Sequence, residues 1–351
     1  MIHYLIAGFG IKPNGGMRII YEQARRLAQR GHRVELHHFE RFSSDRLRRL
    51  PRQLWYFLKA GRTTKPDWID LPASVRCTYR FFAQPLSPEP GARVIATYWK
   101  THDLIADNKR ADVQFFYLIQ GFETWIAGEE RLYRQWRDAS VNLTVSKWLQ
   151  RKVIKVSGQA VLVPNAVDFD AFGNDNPDGM RGKTVLFCSM ASAKKGSADV
   201  AAALNLLHQS GAGFEVTSFG DAHPSAFGLS APCTHFQTPD QSTIRALYNE
   251  AAVFISASHS EGWGLTLAEA TLCGCALLVS DTEGHFEFAR PGKSAFFFRR
   301  GAADVIARKL QFLLNRPNLR AQLNSNAMAD LAPYTWDNAI DQLEAALEAR
   351  T

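Results

Sequence analysis

The sequence predicts an α/β protein made of two Rossmann-like domains, each a parallel sheet wrapped by helices. Three observations predict it. Short apolar runs alternate with longer amphipathic segments, the pattern of repeated β-α units. That pattern breaks at a polar, glycine- and proline-bearing stretch over 164–182 and then restarts. The length of 351 residues is about twice that of a typical domain of ~150.

Taken in order, residues 2–7 (Ile-His-Tyr-Leu-Ile-Ala) form the first expected strand. The N-terminus lacks a basic region and a long apolar core, so it reads as a buried strand rather than a signal peptide. A helix follows over 17–29, with Ile19, Ile20, Ala24, Leu27 and Ala28 on one side and Arg18, Arg25 and Arg26 elsewhere. Gly31 stops it. Further strands are expected over 34–39, 93–96, 115–119 and 141–145. After the break come strand 184–189, helix 198–208, strand 214–219, helix 242–250, strand 252–256, helix 265–272 and strand 276–279. A last helix over 339–349 has Ile340, Leu343, Ala346 and Leu347 as its apolar face. The expected domains are 1–165 and 166–333, with 334–351 as a separate C-terminal segment.

Composition narrows the classes. Hydrophobic residues are 46% and charged residues 21%, which excludes a disordered chain. No run approaches the ~18–20 apolar residues of a membrane-spanning helix. The five cysteines (Cys77, Cys188, Cys233, Cys273 and Cys275) are odd in number and sit in mostly apolar surroundings. They suit reduced thiols in a cytoplasm, and Cys273 and Cys275 read as core packing. The net charge of +7 is a difference between unlike halves: residues 1–165 carry 27 basic and 14 acidic side chains, the remainder 14 and 20.

The glycine-rich loop after the first strand contains Gly8, Gly10, Gly15 and Gly16. It either offers backbone N–H groups to an anion or makes a tight turn. The dinucleotide fingerprint needs a third glycine where Pro13 stands, so a dinucleotide site is weakly supported.

The most specific signal is His259-Ser-Glu261-Gly-Trp-Gly-Leu-Thr-Leu-Ala-Glu269. It lies between an expected strand and an expected helix. A helix starting near Gly264 turns free N–H groups and its positive end toward whatever lies in front. Glycines let the backbone approach a ligand closely, and Glu261 and Glu269 can accept hydrogen bonds from hydroxyls. Phosphates at the helix end with hydroxyls on carboxylates describe a nucleotide sugar. The plainer reading is that Glu261 caps the helix and Glu269 is a solvated surface residue.

The string resembles the signature of family-four retaining glycosyltransferases of the GT-B fold (glycosyl transferases group 1). Other pieces resemble that family in order: Gly15-Gly16, Val163-Pro-Asn-Ala-Val-Asp168-Phe-Asp-Ala-Phe172, Ser189-Met-Ala-Ser-Ala-Lys-Lys195-Gly196, the stretch 280–292, and Tyr334-Thr-Trp336. The resemblance covers most of the chain outside about 41–90. Ala96–His102 followed by 116–123 resembles a branch containing polysaccharide rhamnosyltransferases.

The resemblance implies two Rossmann-like domains facing a cleft, with the C-terminal helix packing back toward the first. It implies a sugar moved from a nucleoside-diphosphate donor to a glycan or lipid-linked acceptor in cell-surface polysaccharide or glycoconjugate synthesis, by hexosyl or deoxyhexosyl transfer. It implies no separate cofactor and no obligatory metal. The catalytic residues implied are Glu261 and Lys195. Lys195 would neutralise the leaving diphosphate and Glu261 would hold the transferred sugar. Donor binding would involve Gly16, Lys194, Gly262, Trp263, Gly264 and Leu265, with Glu269 on the ribose. His102 and Gln120 are candidates on the acceptor side.

There are departures. The family's phosphate-loop arginine is Met190 here, and Lys194 lacks an arginine's bidentate fork. Gln120 stands where a histidine is frequent. These leave open a non-catalytic carbohydrate- or partner-binding module on the same fold, and a nucleotide-sugar epimerase of related architecture is a further alternative. Asp168-Phe-Asp170 matches a metal-binding pattern of another glycosyltransferase fold, but it reads here as part of the interdomain entry. His37-His38 reads as surface.

Residues 41–65 hold eight basic side chains against Asp45 alone. Leu47, Leu50, Leu54, Phe57 and Leu58 have helical spacing, and Trp55 and Tyr56 lie among them. This fits peripheral contact with an anionic membrane or a helix packed on the first domain. No nucleic-acid motif accompanies the charge, so nucleic acid is not expected. The expected location is the cytoplasm, with the inner face of the cell membrane as the site of any such contact.

Overall fold

The computed structural model describes residues 1–8, 14–41, 66, 68–84, 86–106, 110–175 and 181–349. The basic segment expected to meet a membrane, beyond Arg41, lies outside the described residues. The chain divides into two compact units. One is Met1–Asn165 together with the segment from Asp337 onward, and the other is Ala166–Trp336.

The first unit holds strands β1 (Ile2–Ala7), β2 (Val34–Arg41), β3 (Val75–Phe82), β4 (Arg93–Ala96), β5 (Gln114–Ile119), β6 (Val141–Thr144) and β7 (Val161–Leu162). They make one parallel sheet in the order β3-β2-β1-β4-β5-β6-β7. The second unit holds β8 (Thr184–Cys188), β9 (Glu215–Gly220), β10 (Thr234–Gln237), β11 (Val253–Ser256), β12 (Ala276–Ser280) and β13 (Phe296–Phe298). Its parallel sheet runs β10-β9-β8-β11-β12-β13. Both orders are those of doubly wound Rossmann sheets. The chain reverses direction across the sheet beside its first strand, and a crevice opens at the strand ends there.

Local chemistry explains the elements. The helix Gly15–Gln29 starts because Asn14 accepts from the Met17 N–H at 2.9 Å. It buries Met17, Ile19, Ile20, Tyr21, Ala24, Leu27 and Ala28. Strand β12 is buried at all five positions, as a central parallel strand covered on both faces requires. Strand β3 was not expected from the sequence. It alternates buried and partly exposed positions at the sheet edge and so carries no continuous apolar run.

Because β3 pairs outside β2, the histidines read as surface are interior. His37 is 3% and His38 0% exposed. His38 Nδ1–H donates to the Gly8 carbonyl at 2.8 Å, so its Nε2 accepts from the Tyr21 hydroxyl at 2.8 Å. Gly8 makes this turn with φ +82°. Cys273 and Cys275 are both buried, as expected.

The last helix, Trp336–Glu348, buries Ala339, Ile340, Leu343, Ala346 and Leu347. From Asp337 onward it belongs to the first unit. Arg30 Nη1 lies 2.6 Å from both Asp341 and Glu344, and Arg93 Nε donates to the Leu347 carbonyl at 2.6 Å.

Candidate functional site

The site assembles in the second unit, where the loops after β8, β11 and β12 meet. Strands β8 and β11 are neighbours at the reversal of strand order, so the loops leaving their carboxyl ends emerge side by side. The β8 loop makes a single turn over Ala193–Lys195 and then bends at Gly196, φ +65°. A Cβ on Gly196 would sit 2.1 Å from the Ala257 carbonyl oxygen. Glycine therefore lets the two loops touch backbone to backbone, and the His259 N–H donates to the Lys194 carbonyl at 2.6 Å.

That contact brings two of the predicted residues together. Lys195 Nζ lies 2.6 Å from Glu261 Oε1, and the Ser258 hydroxyl donates to the same oxygen at 2.7 Å. The Lys195 side chain remains 39% exposed and that of Glu261 16%. The pair borders a cavity of about 30 Å³ lined also by Cys188, Ser258 and Thr266, room for one water molecule.

The β12 loop closes the back. A Cβ on Gly284 would lie 2.4 Å from the Glu261 carbonyl oxygen. His285 is fully buried and its Nδ1–H donates to the Ser280 carbonyl at 2.9 Å. Its Nε2 therefore carries the lone pair. Burial holds the His285 imidazole below its ordinary range, against the opposing pull of Glu261, so it is neutral near pH 7.

Burial by itself would raise the Glu261 carboxyl. The Lys195 cation, His285 and the Ser258 hydroxyl outweigh it, and the net shift is downward. Burial pushes Lys195 down, and Glu261 more than restores it, so the net shift is upward. Both groups are charged at neutral pH, and a cation stands fixed at the mouth of the loops.

The glycine string sits as its chemistry requires. Gly264, φ +110°, precedes the helix Leu265–Leu272, and no side chain caps that helix. Trp263 does not face outward. It is 2% exposed, with ring centroids 5.2 Å from Phe288 and 5.3 Å from Tyr334. Only its backbone can meet a ligand, and its side chain anchors the loop in the core. Glu269 is 5% exposed and accepts from the Tyr248 hydroxyl at 3.4 Å, so it is not a solvated surface residue. Gly262 and Leu265 flank these positions, and Lys194 contributes its carbonyl to the loop contact.

Met190 offers no cation, and its backbone is held by the Ser197 hydroxyl at 3.0 Å. An arginine reaches the same loops from elsewhere: Arg300 Nη1 donates to the His259 carbonyl at 2.9 Å. Asp168 accepts from the backbone N–H of Asp170 and of Ala171, each at 3.0 Å. It caps the turn there.

Gly16, Gln120 and His102 lie in the first unit. A Cβ on Gly16 would come 3.0 Å from Gln120 Oε1, so those two meet. His102, 3% exposed, instead packs its ring 5.0 Å from Tyr117 and lines a depression of about 350 Å³ with Asp103, Arg131, Arg134, Gln135 and Asp138. Sequence reasoning missed Ser258 and His285. Their signal was present in the Ser-x-x-Glu spacing of 258–261 and in the stretch 280–292.

Comparisons with known proteins bear on the same unit. Residues 174–330 match the family model described as glycosyl transferases group 1. The chain is 28% identical over 134 residues to the N,N'-diacetylbacillosaminyl-diphospho-undecaprenol alpha-1,3-N-acetylgalactosaminyltransferase of Campylobacter jejuni, which is 37% of this chain and 35% of that protein. It is 31% identical over 109 residues to the D-inositol 3-phosphate glycosyltransferase of Acidothermus cellulolyticus, 30% of this chain and 24% of that protein. The matches thus span about a third or less of these relatives' length. In fold, the sucrose-phosphate synthase of Thermosynechococcus elongatus superposes with TM-score 0.78 at 16% identity over 98% of this chain and 97% of that one. Anabaena HepE, solved with UDP and glucose, superposes with TM-score 0.74 at 16% identity over 99% and 98%.

Proposed function

We propose, from the match of residues 174–330 to the glycosyl transferases group 1 model, that this protein is a retaining glycosyltransferase. The single observation that carries the proposal is the Lys195–Glu261 pair at 2.6 Å, held in front of an uncapped helix start at the reversal of strand order. The donor is a nucleoside-diphosphate sugar and the acceptor a glycan or a lipid-linked sugar. A neighbour of the same fold solved with UDP and glucose, and a relative whose name includes a diphospho-undecaprenol, support these classes.

The geometry suits the chemistry. As the glycosidic bond breaks, negative charge grows on the leaving diphosphate. A fixed ammonium and the positive end of Leu265–Leu272 stabilise that charge without reorganisation. The acceptor hydroxyl passes its proton to the leaving phosphate on the same face, so retention needs no protein nucleophile. Glu261 then binds sugar hydroxyls rather than attacking, unlike the paired carboxylates of glycosidases. Donor arrival would draw Lys195 partly from Glu261 toward phosphate, a shift within reach of its flexible stem.

A thermal-shift screen over nucleoside diphosphates is expected to give a base-selective rise in Tm. In transfer assays Lys195→Ala and Glu261→Ala are each expected to lower kcat by about 10²-fold or more while the fold survives. Full activity in both variants would sink the site assignment. Donor isomerised without an acceptor would mark an epimerase instead. Binding without turnover over a broad panel would mark a non-catalytic module, the reading that Met190 and Gln120 favour.

A further inference from the structure

The first sheet carries a cluster that the transfer reaction does not use. Tyr4 and His38 turn toward the helix Gly15–Gln29, where they meet Gln23 and Tyr21. Alternation along the strands therefore sends His3, Glu35 and His37 to the opposite face. His3 is in register with Glu35.

Three ligand atoms converge there. His3 Nδ1 and His37 Nε2 are 3.0 Å apart. Glu35 Oε2 lies 3.7 Å from the first and 3.5 Å from the second. A point equidistant from three atoms separated by 3.0, 3.5 and 3.7 Å is about 2.0 Å from each, the length of a zinc–nitrogen or zinc–oxygen bond. The imidazoles are 5% and 4% exposed and Glu35 16%, so the cluster is roofed by rings and open on the carboxylate side.

The outer contacts orient each ligand. Glu89 Oε2 lies 3.2 Å from His3 Nε2 and accepts its proton, which turns the Nδ1 lone pair inward. Thr78 Oγ1 lies 2.8 Å from His37 Nδ1, and a hydroxyl accepting there turns the Nε2 lone pair inward. Arg76 Nη1 donates to the other oxygen of Glu35 at 3.1 Å. A carboxylate or hydroxyl on the far nitrogen of each ring is how metal-bound histidines are fixed. Two inward lone pairs beside a carboxylate oxygen repel unless a cation lies between them.

We propose that the first unit binds one divalent transition metal, zinc by donor set and spacing, on His3 Nδ1, His37 Nε2 and Glu35 Oε2, with water as the fourth ligand. The ion is structural. It ties β1 to β2 and, through Glu89, to the segment that leads into β4. The competing arrangement is a proton chain in which Thr78 donates to His37 Nδ1, and His37 Nε2–H donates to His3 Nδ1.

The experiment uses the untagged full chain, stripped with chelator and titrated with Zn²⁺ against a chromophoric chelator. One zinc per chain is expected, together with a rise in Tm. Co²⁺ in its place should give the strong visible bands of a tetrahedral site. Glu35→Gln, on the open rim, keeps the shape and should weaken zinc by about tenfold or more. His3→Ala and His37→Ala should abolish it. If either histidine variant fails to fold, the Glu35→Gln comparison still decides. Equal zinc affinity in wild type and Glu35→Gln, or no stoichiometric zinc in wild type, overturns the proposal in favour of the proton chain.

Discussion

At the scale of single residues, the constraint on Gly196 is the sharpest. A side chain there meets the Ala257 carbonyl at 2.1 Å, in a backbone conformation with φ +65°. The left-handed conformation alone costs an L-residue about 1–2 kcal/mol, and the overlap with backbone cannot be relieved by a rotamer. Gly196→Ala is expected to lower Tm by several degrees and to separate the loops that align Lys195 with Glu261. A melt and a transfer assay check it, and wild-type values in both would contradict the contact. Trp263→Ala should cost about 3–5 kcal/mol by emptying its place against Phe288 and Tyr334, read from urea unfolding. A mild loss would mean that the ring is not the loop's anchor. Glu261 stood out in the sequence for the glycines around it, and Lys195 only through the resemblance of 189–196 to a phosphate loop. Their pairing was not legible, since 66 residues separate them and only the adjacency of β8 and β11 closes that distance.

At the scale of elements, β2 shows what a neighbour changes. A strand expected to end in surface histidines is interior once β3 pairs with it. Burial lowers His38 to about 4, against the opposing bond to Gly8. The groups against it are Tyr21 and the ring of Tyr79, stacked at 4.8 Å. The folded pKa lies below the unfolded one, so between about pH 6.5 and 4 the unfolded chain binds a proton that the folded chain refuses. Stability is therefore fully present above that window and falls as pH drops through it, by up to about 1.4 kcal/mol per pH unit. His38→Gln keeps a donor and an acceptor without the charge, so urea midpoints at pH 7, 6 and 5 should fall less steeply than in wild type. Parallel slopes would sink this account. The central strands and five helices (Gly15–Gln29, Ser197–Gln209, Gln241–Glu250, Leu265–Leu272 and Trp336–Glu348) were legible from periodicity, whereas Trp99–Ala106, Glu129–Asp138, Lys147–Ser157, Ala303–Leu314 and Pro317–Leu331 were not read from the sequence. Strands β3, β7, β10 and β13 were not read either, because β3 and β10 are only partly buried and β7 and β13 are too short to show a period.

At the scale of the molecule, the first unit is discontinuous. It takes its last helix from the far end of the chain, and that helix buries Ile340, Leu343 and Leu347. Each such side chain contributes about 1.5–3 kcal/mol when fully buried. Ending the chain after Trp336 is thus expected to depress the melting transition of the first unit while leaving that of Ala166–Trp336 in place. Calorimetry of the two chains checks this, and an unchanged first transition would contradict it.

The sequence by itself determined the alternation of strands and helices, the break over 164–182 after which that alternation restarts, and the glycine and carboxylate string over 259–269. These are local properties, set by side-chain period and by backbone conformations that only glycine adopts readily. The tertiary structure decided which groups meet. Strand order brought Lys195 to Glu261, set His285 behind them, turned Trp263 inward, and gathered His3, Glu35 and His37 on one face. Contacts of that kind follow from which strands are neighbours and which faces are covered, and no local pattern along the chain encodes either.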